Sequence, residues 1–221
     1  MITYCRGNTI GTSGIYICDR NRRQEMQRFL LTLSFICMCS SACCAQFFPE
    51  KSLDTDNRGD SFKAQWYSRH LQALGEPSLF ELSRDSSVES YRFLWLRSFH
   101  HPIAIRITRQ LDGSFQIIAK MADGAGGYAL GKVTMHTVRT LTSDEAQKFL
   151  SCVERSGFWN APNPVDDQRG ADGSQWIIEA VKGGKYHVID RWSPHKGPAR
   201  DLGLVMVFDL GKMEIPKDER Y

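Results

Sequence analysis

Two short turn signals constrain most of what this chain can become. Asp112-Gly113 separates the alternating run Ile103-Ala104-Ile105-Arg106-Ile107 from residues 114–121, and Gly183-Gly184 separates residues 174–181 from residues 185–192. Glycine supplies the positive φ that a two-residue hairpin demands, and period-two alternation on both sides marks paired strands. Each signal therefore predicts an antiparallel hairpin. Residues 91–97 alternate too, with Tyr91, Phe93 and Trp95 on one side, and residues 132–140 read as a further strand after a glycine-rich loop.

Helical signals stand between the strands. Asp60 and Ser61 offer an N-cap to residues 62–74, with Gly75 as the stop; Phe62, Trp66, Arg69/His70 and Ala73 fall at helical spacing, and this aromatic face is expected in the core. Thr142-Ser143-Asp144-Glu145 has the form of a capping box, and opens a helix with the apolar face Ala146, Phe149, Leu150 and Val153 and with Gly157 as its end. Pro198 starts a last helix through Phe208. The order is one helix, four strands, one helix, two strands, one helix. It predicts an α+β fold: an antiparallel sheet of about six strands, covered on one face, with about three helices packed on it.

The front of the chain reads as a leader. Met26-Gln27-Arg28 precedes the apolar run of residues 29–38, and small residues follow up to Ala45. A basic start, a short apolar centre and a small-residue cleavage region define a secretory signal peptide. The run is shorter than the ~20 apolar residues that span a bilayer. Residues 1–25 are expected to be a non-native or untranslated extension, 26–45 the signal peptide, 46–61 a flexible arm and 62–215 one α+β domain. Cleavage before Gln46 is favoured over lipidation at Cys43, because Ser40 stands where lipoprotein processing prefers a branched apolar residue. Only lipidation would tie the product to a membrane. Six of the seven cysteines precede residue 46, so the exported body keeps Cys152 alone, has no internal disulfide and must be held by its core. Cys152 itself reads as a small buried apolar residue.

Charge narrows the partners. Residues 1–45 hold five basic and two acidic residues, leaving 23 of each sign in the remainder. A body without net charge lacks the cationic surface that nucleic-acid binding requires.

Several stretches resemble a group of exported bacterial proteins of unknown function: residues 93–104 (FLWLRSFHHPIA), 124–128 (GAGGY), 172–179 (DGSQWIIE) and 186–194 (YHVIDRWSP). The resemblance spans most of residues 62–210 and implies bacterial origin and one compact domain, with no activity attached. The element order of the C-terminal half is also similar to emfourin-type inhibitors of metalloproteases.

The chemical motifs are thin. Residues 126–132 satisfy G-x-x-x-x-G-K, but Val133 stands where a phosphate loop needs Ser or Thr, and a strand follows where a helix is required. His100, His101, His136, His187 and His195 lack zinc-ligand spacing, so neither a metal nor another cofactor is expected. Ser174 has no nucleophile elbow around it. The densest polar region offers two readings. Binding through Trp192, His195, Arg169, Arg200 and Asp167 uses the aromatic and arginine types that anchor interfaces, and would engage an envelope or secreted protein. The alternative is an envelope hydrolase in which Asp172, Glu179, His187 and Asp190 do acid–base work. A structural pairing of Glu179 with Arg191 or His187 ranks ahead of catalysis, and binding is the favoured function.

Overall fold

Both expected hairpins are present and belong to one sheet, but the first turns over three residues, Leu111-Asp112-Gly113, with Gln110 and Ser114 paired at 2.8 Å, and only the second has the two-residue turn expected of both. The computed structural model describes residues 45–165, 170 and 172–221; the signal peptide, the extension before it, Cys43, Asp167 and Arg169 lie outside the described residues. Helices α1 (Asn57–Ala73) and α2 (Leu79–Leu82) precede strands β1 (Glu89–Arg97), β2 (Ile103–Arg109), β3 (Phe115–Ala122) and β4 (Val133–Thr140). Helix α3 (Ser143–Arg155), strands β5 (Ser174–Lys182) and β6 (Lys185–Trp192), and helix α4 (Pro198–Leu204) complete the order, α4 continuing as a wider π turn over Val205–Leu210. The sheet runs β4-β3-β2-β1-β5-β6, and every pair is antiparallel. The fold is α+β, as the hairpin signals predict.

The sheet is covered on both faces, not on one. All nine residues of β1 are buried. Tyr91, Phe93 and Trp95 point to a core shared with Ile105, Trp176, Ile178, Phe149 of α3 and Leu202 of α4. Leu94 and Leu96 point the other way, to a second core with Ile177, Tyr67 and Leu71 of α1. A strand that carries Phe93 and Trp95 on one face and Leu94 and Leu96 on the other must be covered twice, because each apolar side chain removed from water contributes about 1.5–3 kcal/mol.

Residues 46–61 are not a free arm. Phe47, Phe48 and Leu53 are buried in the second core, and α1 begins a turn earlier than expected, at Asn57, with Asp56 accepting from the Gly59 N–H at 2.9 Å. Asp60, expected as the cap, instead accepts from the backbone N–H groups of Lys51 and Leu53 at 2.8 Å each, which ties the arm to the helix. The aromatic face of α1 is also corrected: its buried side carries Lys63, Tyr67, His70 and Leu71, whereas Phe62 is 64% exposed. The capping box at Thr142 and Glu145 forms as read, Gly157 ends α3 at φ 68°, and Cys152 is buried. Among the described residues no helix is long and apolar enough to cross a membrane.

Candidate functional site

The four residues of the hydrolase reading do not come together. Register decides this: Asp190 pairs with Ile177 and Val188 with Glu179, so Glu179 and Asp190 share the α1 face, whereas His187 pairs with Ala180 and points to the opposite face. There its ring packs 5.0 Å from Phe158 and 6.2 Å from Trp159, and burial lowers its pKa. Asp172 is exposed in the loop before β5.

Both carboxylates on the α1 face are locked in buried ion pairs. Arg92 Nε and Nη2 donate to Glu179 Oε2 at 2.9 and 2.5 Å, and Tyr186 OH donates to Oε1 at 2.8 Å. Glu179 therefore faces Arg92 and Tyr186, not Arg191 or His187. Its burial pushes the carboxyl above the usual range against the pull of Arg92. Next to it, Glu76 takes Arg106 Nε and Lys120 Nζ at 2.8 Å each; burial raises its pKa, but Arg106, Arg92 and Lys120 together outweigh that and hold it below the ordinary value. Asp190 receives Lys63 Nζ at 2.8 Å and Tyr67 OH at 3.0 Å, with Asp54 3.3 Å from the same ammonium; burial raises this carboxyl too. Lys63 and Tyr67 tie α1 to β6 through Asp190, Arg92 ties β1 to β5 through Glu179, and both carboxylate side chains are almost fully shielded from solvent.

The binding set fares differently at each position. Trp192 is half-buried, and its ring lies against Gly173, where a Cβ would come within 2.6 Å of it. The Arg200 guanidinium stands 5.1 Å from the centroid of the buried Trp176 ring. His195 is exposed. These three describe a polar rim, with the aromatic groups turned inward.

The exposed aromatic groups gather elsewhere, between α1 and the glycine-rich loop. A groove of about 400 Å³ is lined by Phe62, Gln65, Trp66, Arg69 and His70 of α1 and by Gly127, Tyr128 and Leu130 of the loop. Phe62 and Trp66 pack 5.9 Å apart on one wall. On the other, Tyr128 stacks on Phe99 at 5.9 Å and 25°, both more than half exposed. The volume falls in the range of ordinary ligand and side-chain pockets. Glycine is what brings the second wall close: a Cβ on Gly126 would sit 2.7 Å from the Arg97 backbone nitrogen, so only glycine lets the loop lie on the end of β1 and donate to the His100 carbonyl at 3.0 Å. The glycines thus serve a tight loop, and the strand β4 follows it.

His70 lines this groove from a buried position. Burial lowers its pKa from 6.5 to about 4, a backbone hydrogen bond at Gly126 opposing and Arg69 assisting. The ring is neutral at physiological pH, and its Nδ1 has no hydrogen-bond partner. Sequence reasoning assigned this aromatic face to the core. The spacing of Phe62, Trp66 and Arg69 is visible in the sequence; what it does not show is that the neighbouring row, Lys63, Tyr67, His70 and Leu71, one residue further round the helix, is the one that the ion pairs and the second core claim.

Among the described residues there is no group of three or more His, Cys, Asp or Glu placed to hold a metal ion. No model of a known protein family matches this chain, and no curated protein is detectably similar to it.

Proposed function

We propose that this chain is an exported bacterial binding module of the cell envelope, acting without catalysis, whose contact surface is the groove between α1 and the glycine-rich loop. The observation that carries the reading is the contrast between two sets of side chains. The acid–base groups of the C-terminal hairpin are spent in buried ion pairs or on opposite faces, while Phe62, Trp66, Tyr128 and Phe99 line and flank one accessible groove with Arg69 among them. Aromatic and arginine side chains in a concave, partly desolvated patch are the groups that carry interface energy. The occupant is an apolar or aromatic side chain of an envelope or secreted protein, in keeping with the resemblance to exported proteins and with a body of zero net charge.

The test is capture from bacterial envelope extract with the wild-type chain, with Phe62→Ala/Tyr128→Ala, and with His195→Ala/Arg200→Ala. A stoichiometric partner retained by the wild type and by the second variant, and lost by the first, supports the groove. Loss in the second variant alone moves the contact to the C-terminal loops. Fractionation of the expressed chain checks the export half of the proposal: recovery in the cytoplasm alone contradicts it.

A further inference from the structure

The sheet has two edges, and the chain treats them differently. Along β6, Asn163 Oδ1 accepts from the Asp190 N–H at 3.0 Å, and Arg191 reaches both Asn163 Oδ1 and the Pro162 carbonyl, so the segment before β5 covers that edge. At the opposite end β4 pairs with β3, and no further strand lies beyond it among the described residues.

None of the eight residues of β4 is buried; six are exposed, and Met135 and Arg139 are half-covered on the α3 face. Five are β-branched (Val133, Thr134, Thr137, Val138 and Thr140), the composition of a strand made to pair. Exposed edges are normally blunted by charges, proline or a bulge, because their free N–H and C=O groups template further pairing. The irregularity at Met121/Ala122 disturbs only the beginning of β4. The one charged side chain within the strand is turned away: Arg139 donates to both oxygens of Glu145 at 2.7 and 2.9 Å and to the Leu210 carbonyl at 2.6 Å. The natural gatekeeper of this edge is held against its own molecule.

We propose that the β4 edge is a self-association surface, on which β4 of a second copy pairs antiparallel about a two-fold axis at Thr137, joining two six-stranded sheets into one. A two-fold perpendicular to the sheet pairs residues that lie on the same face. Centred on Thr137, it sets Thr137 against its own counterpart, His136 against Val138 of the second copy and Met135 against Arg139, all within the regular part of the strand. Hydroxyl meets hydroxyl, and no two ionisable groups stand opposite each other. Moving the axis to His136 would place imidazole against imidazole. A second copy fits better than a charged peptide because the strand presents no free charge to attract one, and because residues 46–221 carry 23 basic and 23 acidic residues, so two bodies approach without net repulsion. The surface is separate from the groove, and the inference does not depend on the function proposed above.

Sedimentation equilibrium of the full chain tests this. The wild-type mass rises from 25.1 kDa toward twice that value with concentration. Thr137→Lys and Thr137→Glu each place like charges across the axis and raise the dissociation constant at least tenfold, with an unchanged circular dichroism spectrum because Thr137 is exposed. An equimolar mixture of the two variants restores the dimer. A wild type that stays monomeric up to millimolar concentration, a Thr137→Lys chain that dimerises like the wild type, or a mixture that stays monomeric would each overturn the proposal.

Discussion

Arg92 and Glu179 stand directly opposite each other on β1 and β5 and exchange two charge-assisted hydrogen bonds to a single carboxylate oxygen, with neither side chain reached by solvent. The pair sits where two interior strands of the sheet meet. It fixes their register, because a shift of one residue would turn one of the two charges to the opposite face and leave its partner buried alone.

Removing one partner is therefore costly. Glu179→Ala leaves a buried guanidinium uncompensated and is expected to destabilise the fold by about 3–5 kcal/mol. Arg92→Met/Glu179→Leu, which removes both charges and keeps the volume, is expected to lose less than the single variant. Urea denaturation of the two variants checks this, and a single variant as stable as the double would contradict it.

Acid sensitivity follows from His70. Its folded pKa of about 4 lies below the unfolded value of 6.5, so between those values the unfolded chain binds a proton that the folded chain refuses. Stability is fully present above pH 6.5 and falls as the pH drops toward 4. His187 is shifted in the same direction and adds to the slope. His70→Gln is expected to flatten the pH dependence of the thermal midpoint over this window; an unchanged slope would assign it to other groups.

Two phenylalanines separate surface from core. Phe93→Ala is expected to cost about 3–5 kcal/mol, as for any large aromatic removed from a closed core. Phe62→Ala, at a position 64% exposed, is expected to stay within about 0.5 kcal/mol of the wild type. Chemical denaturation of both variants distinguishes them, and a large loss at Phe62 would return that face of α1 to the interior.

Gly126→Ala tests how the groove is built. The added Cβ meets the Arg97 backbone at 2.7 Å, so the loop must lift from β1 and carry Tyr128 away from Trp66. The expected result is slower tryptic cleavage in the wild type than in the variant after Lys132, the basic residue at the loop's end. Equal cleavage rates would show that the loop is held by other contacts.

The hairpins, the capping box, the helix stops and the six-strand count were legible because each rests on contacts between residues close in sequence. Coverage of the second face was not. It depends on Phe47, Phe48 and Leu53 meeting Leu94 and Ile177 across the chain, and local pattern carries no record of such meetings. The same holds for the site. Alternation placed Glu179 opposite Trp176 and Ile178, but its partner Arg92 lies 87 positions away, and nothing near either residue announces the pair. Phe62 looked like core because an aromatic stripe usually is, and only Trp66 of that stripe packs, half-buried, against the second core. In α1 the buried row is partly Lys63 and His70, polar residues that ion pairing and a lowered pKa let the interior accept.

The most direct measurement of the central claim is a calorimetric titration of the captured partner into the wild-type chain, Phe62→Ala/Tyr128→Ala and His195→Ala/Arg200→Ala. The account predicts that the groove variant loses at least a factor of about ten in affinity, the cost of one anchoring contact, while the loop variant matches the wild type. Equal affinity of the groove variant and the wild type would contradict it.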